Sequence, residues 1–230
     1  MSFAVMFQRA LPAGVCVAVS LPEMDDFATP PGLHADEIAF VHASSAGRRR
    51  SFFGGRVALR AAMAALGAGA ADGARAILST PRGAPAMPPG FVGSVSHKRE
   101  LAVAIVARAE PTPQVTVGVD VEVARALRAD IAPRVLTPAE RAALSDLTGD
   151  ARDAAVLVRF ALKEAIYKAL DPWVQRLVSF QEVEIVAAPE GGAWRARLTL
   201  ARGEGPFSID LYDASGDGLV LVVAAVERGR

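Results

Sequence analysis

The sequence predicts an α+β protein of two similar-sized halves, and three observations carry that reading. Helical and strand patterns are mixed along the chain, and the C-terminal end is strand-rich. Each half holds one long helical pattern and several short strand patterns. A Pro-containing break over 110–114 lies between them and puts the expected boundary between residues 1–112 and 113–230. No repeat with a fixed period of roughly 20–50 residues is visible.

The elements follow in chain order. Residues 15–20 form an apolar run that reads as a short buried strand, with Cys16 as a small core residue. Residues 21–32 are loop, broken by Pro30-Pro31-Gly32. Residues 34–44 have helical spacing, with Ile38, Val41 and His42 as inner positions. A stronger helix covers 48–66, where Phe52, Phe53, Val57, Leu59, Met63 and Leu66 supply the apolar residues and Gly67 the stop. Residues 81–93 are rich in Pro and Gly and read as an irregular loop. Residues 101–107 are an apolar strand, and 115–121 a β-branched alternating one. Thr137-Pro138-Ala139-Glu140 has the cap, first-turn proline and third-position glutamate of a helix start. A long helix over 151–170 should end at Asp171-Pro172. Strands are expected at 182–187, 194–200, 207–212 and 219–226.

Composition bounds the function. Of 230 residues, 52% are apolar and 22% charged, which supports a buried core and excludes disorder as the main state. Lys+Arg and Asp+Glu are 25 each, so bulk charge gives no reason to bind nucleic acid. One cysteine excludes a disulfide within the chain, and with three histidines it makes no zinc-ligand pattern. No apolar stretch approaches the roughly 20 residues of a membrane span. The N-terminus lacks the order of a secretory signal, so a cytoplasmic protein without membrane or nucleic-acid partners is expected. Among the 25 basic residues only Lys98, Lys163 and Lys168 are lysine. In so arginine-biased a chain, a retained lysine can mark a place that needs a compact ammonium.

Four segments can carry chemistry. In Gly118-Val119-Asp120-Val121-Glu122, strand alternation puts Asp120 and Glu122 on one face. Either a hard cation such as Mg²⁺ or Mn²⁺ joins them, or the strand end faces solvent. Around Lys163-Glu164 and Lys168, a surface ion pair between Glu164 and Lys168 accounts for one lysine and leaves Lys163 unexplained. Glu164 could also join the two strand carboxylates, with the lysines facing an anion. Gly93-Ser94-Val95-Ser96-His97-Lys98 reads as a turn, either suited to phosphate or simply structural. Arg48, Arg49, Arg50, Arg56 and Arg60 form either a solvated helix face or a phosphate-binding group. Together they suggest a divalent metal on three carboxylates, ringed by cations, with a polyphosphate ligand.

GVDVE (118–122), FALKEAIYKAL (160–170) and GSVSHK (93–98), in this order and separation, resemble the motifs of Sfp-type 4′-phosphopantetheinyl transferases. Arg49-x-x-Phe52-x-x-Gly55-Arg56, followed by Ala58 and Arg60, resembles the enterobactin-synthase-component-D branch, as does Phe180-Gln181-Glu182-Val183-Glu184-Ile185. The resemblance covers roughly residues 45–187. It implies a pseudo-twofold α+β fold and transfer of 4′-phosphopantetheine from coenzyme A to a serine of an apo acyl or peptidyl carrier protein, with release of 3′,5′-ADP. It also implies Mg²⁺, a monomer, and service to secondary metabolism such as siderophore synthesis.

Carried over by position, Asp120, Glu122 and Glu164 would hold the metal. Ser96 and His97 would meet coenzyme A phosphates, and Arg49 and Arg56 the nucleotide and its 3′-phosphate. Lys163 and Lys168 would neutralise the diphosphate, and Glu164 or a metal-bound hydroxide would take the serine proton. Phe160, Ala84, Ser51 and Asp171 depart from the family pattern, with Arg82 near enough to stand in for a basic residue at 84. The carrier is expected on a basic, apolar patch at Trp173, Val174, Arg176, Leu177 and Val178, unless these pack in the core. A Mg²⁺-dependent phosphohydrolase and a non-catalytic coenzyme A-binding protein are the competing readings.

Overall fold

The computed structural model describes residues 3–23, 27–110, 114–125, 129–186 and 193–229. The N-terminal half contains β1 (Val5–Leu11), β2 (Gly14–Ser20), α1 (Ala35–Val41), α2 (Ala46–Ala65), α3 (Ala70–Gly73), β3 (Phe91–His97) and β4 (Leu101–Arg108). Its strands form one antiparallel sheet in the order β1-β2-β4-β3. The C-terminal half contains β5 (Val115–Val123), α4 (Ala132–Val135), α5 (Pro138–Ala143), α6 (Gly149–Val174), β6 (Val183–Val186), β7 (Arg195–Leu198), β8 (Phe207–Asp213) and β9 (Leu219–Arg228). Here the sheet order is β5-β9-β8, with β6 and β7 as a separate antiparallel pair.

Each sheet buries one long helix. Helix α2 packs Leu59, Ala62 and Met63 on β2 and β4, and α6 packs Leu162, Ile166 and Leu170 on β5 and β9. The α+β class read from the sequence is what the chain adopts. The boundary expected at 112/113 lies outside the described residues.

The halves repeat one topology down to a buried ion pair. The antiparallel order β2-β4-β3 in one matches β5-β9-β8 in the other. Helices α1 and α5 start at 35 and 138, and α2 and α6 at 46 and 149, the same displacement. Glu37 and Glu140 each sit at the third position of the short helix, fully buried, and close a capping box with His34 and Thr137. Each carboxylate also accepts a backbone amide from a later extended segment, Ile77 at 2.8 Å and Ile185 at 2.7 Å. Each binds a cation on the long helix: Arg60 to Glu37 at 2.9 Å and Lys163 to Glu140 at 2.6 Å. The offset is common to both pairs, since 140 − 37 = 163 − 60 = 103. A buried carboxylate with an ion partner and two amides avoids the cost of an unpaired charge, so the same device secures both halves.

Several expectations need correction. β1 was not anticipated: it is an edge strand whose residues are exposed or half-buried, so it shows no apolar run. The Gly93–Lys98 segment is not a turn, because β3 starts at Phe91 and runs through His97. Pro172 does not end α6. It lies inside the last turn, where it removes only one helical hydrogen bond, and Gln175 in the left-handed region (φ 48°) closes the helix. His42 is exposed, and the inward polar residue of α1 is Glu37. Cys16 is the core residue expected; burial pushes its thiol up to about 12, which leaves it unreactive.

One close approach sets the functional geometry. A Cβ at Gly118 would lie 1.9 Å from the Ala165 carbonyl oxygen and 2.8 Å from the Ala169 amide nitrogen. Only glycine lets β5 lie this tightly on α6. Thr116 Oγ donates to the Ala169 carbonyl at 2.6 Å and fixes the same contact two residues earlier. Gly118→Ala should therefore cost stability at or above the upper end of the overpacking range, about 3 kcal/mol. Chemical denaturation would register this as a lower midpoint, and an unchanged midpoint would refute the close contact.

Candidate functional site

The two sheets meet along β3 and β5, each an edge strand of its own sheet. Side chains bridge this seam instead of a ladder. Strand alternation puts Ser94, Ser96 and, just past the strand end, Lys98 on one side of β3. The Val119 amide donates to Ser94 Oγ at 3.3 Å, Ser96 Oγ donates to Asp120 Oδ1 at 2.8 Å, and Lys98 Nζ donates to Glu122 Oε1. From α6, Lys168 Nζ donates to the Val119 carbonyl at 2.9 Å and to Asp120 Oδ1 at 2.7 Å. The backbone groups of Val119, on the edge of β5 away from β9, thus find a hydroxyl and an ammonium.

Asp120 is 4% exposed, and its Oδ2 is buried with no hydrogen-bond partner. Glu164 lies one helical turn before Lys168 and so on the same face. Burial pushes its carboxyl above the usual range; Lys168 opposes this, while Asp120 and Glu122 add to it. Burial also raises Glu122, against the hydrogen bond from Lys98. The three expected carboxylates therefore lie within each other's fields.

The remaining predicted residues divide. His97 stands at the end of β3. Partial burial lowers its pKa, as do Lys168, Arg48, Lys98 and Arg50 around it. Of those four cations, Lys98 and Lys168 also act on the carboxylates. Ser96 gives its hydroxyl to Asp120 and so orients that carboxylate. Arg49 donates to the Ser44 carbonyl at 2.6 Å and bonds to none of the carboxylates. Arg56 is 3% exposed, stacks on Phe52 at 3.8 Å, and donates to the Ile77 carbonyl at 2.6 Å and Ser79 Oγ at 3.1 Å. Burial lowers its pKa to about 10. In this geometry the buried guanidinium of Arg56 anchors the 77–79 segment.

Lys163 is the largest correction. Its ammonium is enclosed by Glu140 Oε2 at 2.6 Å, the Val135 carbonyl at 2.8 Å and the Phe180 carbonyl at 3.0 Å, with 1% of the side chain exposed. It points away from the seam and cannot neutralise a diphosphate there. The expected carrier patch also dissolves. Trp173 Nε1 donates to Thr116 Oγ, Val174 and Val178 are buried, and Arg176 is held by Glu182 and Glu204, leaving Leu177 exposed. Arg82, the stand-in for a basic residue at 84, is bound to Asp171, one of the departures from the family pattern, and to the Tyr167 hydroxyl. Sequence reasoning missed Ser94 and Lys98 as seam residues. Their period-two spacing with Ser96 was the available signal.

A hard divalent cation fits this donor set. Asp120 Oδ2 is a buried oxygen without a donor, and two further carboxylates share its field. Among the described residues no three acidic, His or Cys side chains already form a cage, and Lys98 and Lys168 hold two of the carboxylates.

Fold and site together define an α+β enzyme of two like halves whose acids and cations meet at the junction. Residues 116–223 match the 4′-phosphopantetheinyl transferase superfamily, and residues 36–107 match the 4′-phosphopantetheinyl transferase N-terminal domain. The chain is 32% identical over 200 residues to the 4′-phosphopantetheinyl transferase Svp of Streptomyces mobaraensis, covering 84% of this chain and 78% of that protein. It is 30% identical over 200 residues to the 4′-phosphopantetheinyl transferase PptT of Mycobacterium tuberculosis, covering 86% and 84%. A holo-(acyl-carrier-protein) synthase structure from Bacillus anthracis, in complex with CoA (3′,5′-ADP), aligns at 22% identity and a TM-score of 0.41, over 49% of this chain and 96% of that one. This chain belongs to the 4′-phosphopantetheinyl transferase superfamily and is a 4′-phosphopantetheinyl transferase.

Proposed function

We propose that the chain moves 4′-phosphopantetheine from coenzyme A to a serine of an apo acyl or peptidyl carrier protein, releasing 3′,5′-ADP, with Mg²⁺ bound at the β3–β5 seam and Mn²⁺ as its substitute. The buried, unpartnered Oδ2 of Asp120, beside an Oδ1 already bonded to Ser96 and Lys168, is the observation that carries the metal assignment. Asp120, Glu122 and Glu164 would hold the ion. Once bound, it would supply Lewis-acid stabilisation of the diphosphate.

The chain's own groups do the rest. Lys168 keeps Asp120 in place and sets a positive charge beside the transferring group. Arg48 and Arg50 beside His97, with Arg49 nearby on α2, form the basic rim for the nucleotide phosphates, and His97, its pKa lowered, offers them a ring N–H. Glu164, with its carboxyl raised by burial, is placed to take the proton of the carrier serine. The N-terminal half, residues 1–112, then supplies nucleotide contacts, and 113–230 the metal and the chemistry. All three carboxylates and Lys168 fall in the second half, which supports that division.

We further infer a cytoplasmic protein, and a monomer because both edges of the seam come from one chain. The 49–60 and 180–185 segments support the enterobactin-synthase-component-D branch, and with it siderophore or related secondary metabolism. The test is a panel of apo carrier proteins incubated with the chain, coenzyme A and Mg²⁺. A carrier should gain one phosphopantetheine as 3′,5′-ADP appears. Nucleotide or phosphate release that needs no carrier would support a phosphohydrolase instead.

A further inference from the structure

Lys98 is not needed to hold the fold's core, yet it grips one of the three carboxylates. Its ammonium bonds Glu122 Oε1, while its backbone amide donates to the Leu101 carbonyl at 2.9 Å and anchors the stem at the β3–β4 turn. Lys168 is tied twice, to Asp120 and to the Val119 carbonyl. Lys98 is tied once, and a third of its side chain is exposed. Of the two ammoniums, Lys98 is the one whose flexible stem can swing to water.

The charges at the seam give this a consequence. Ionised Asp120, Glu122 and Glu164 carry three negative charges, and Lys98 and Lys168 return two positive ones. A divalent ion entering this set overshoots neutrality and must compete with Lys98 for Glu122. A diphosphate arriving with the ion removes that excess positive charge, returning the seam to the single net negative charge it has without the ion, and offers Lys98 a new partner. Without Lys98, two negative charges remain, and a divalent ion alone cancels them.

We propose that Lys98 is an internal counter-cation that makes divalent-ion binding at the seam conditional on the polyanionic substrate. This rests on the assignment of Asp120, Glu122 and Glu164 to the metal.

The probe is Mn²⁺, titrated into the full chain by electron paramagnetic resonance, with and without coenzyme A. Wild type should bind Mn²⁺ weakly alone and more tightly with coenzyme A. Lys98→Met should bind Mn²⁺ alone about tenfold more tightly, a ratio equivalent to about 1.4 kcal/mol, and should gain little from coenzyme A. Lys98→Arg, which keeps the charge, should behave as wild type. Thermal melts should show all three folded. The proposal is overturned if Lys98→Met binds Mn²⁺ no more tightly than wild type, or if wild type binds it equally with and without coenzyme A. Asp120→Asn separates the underlying assignment: it should weaken Mn²⁺ binding in wild type and in Lys98→Met alike. Unchanged binding in Asp120→Asn would mean that the metal assignment itself fails.

Discussion

Glu164→Gln should lower transfer to an apo carrier by at least about a hundredfold, the loss seen when one group that stabilises transition-state charge is removed. The substitution keeps the shape of the side chain and removes its charge and its capacity to accept a proton as a base. Stability should scarcely change. Glu164 makes no hydrogen bond among the described residues, and burial and its acidic neighbours already disfavour its charged form. A neutral amide relieves that unfavourable field. The thermal midpoint should therefore stay within about 3 °C of wild type, or rise. Intact mass of the carrier measures the first effect and a thermal melt the second. Full activity in this variant would remove Glu164 from the site.

Lys163→Met should do the reverse, costing about 3–5 kcal/mol of stability, the usual loss when one partner of a buried ion pair is removed. Glu140 would be left as a buried carboxylate held only by the amides of Thr137 and Ile185. The Val135 and Phe180 carbonyls would lose their donor as well. This single ammonium joins α6 to the end of α4, to α5 and to the 3₁₀ turn before β6. Chemical denaturation should show the loss, while the folded fraction keeps its turnover rate. A variant of wild-type stability with no turnover would return Lys163 to the diphosphate. Lys163→Arg should also destabilise, because the enclosure leaves 1% of the side chain exposed. Arg60, at the equivalent place in the first half, has 14% exposed and room for its larger head.

These two residues show what the sequence made legible. Alternation in GVDVE correctly put Asp120 and Glu122 on one face, and the i,i+4 spacing put Glu164 with Lys168. The same helical arithmetic separates Lys163 from Lys168, since five residues turn about 140° beyond a full circle. Shared membership in one motif concealed that. The capping box at Thr137 and Glu140 was visible, but nothing local says that the glutamate is buried or that a lysine 23 residues on meets it. GSVSHK read as a turn because Gly and Ser favour turns. The ladder with β4 decided otherwise and gave Ser94, Ser96 and Lys98 a common face. The lysine scarcity did carry information. All three lysines bond a carboxylate, two at the seam and one inside a packed junction.

The most direct measurement is the intact mass of an apo carrier protein after incubation with coenzyme A, Mg²⁺ and equal folded amounts of wild type or Asp120→Asn. Wild type is predicted to convert the carrier fully to its phosphopantetheinylated form, with no conversion detectable for Asp120→Asn over the same time. Conversion by Asp120→Asn at the wild-type rate would contradict a reaction centred on the β3–β5 seam.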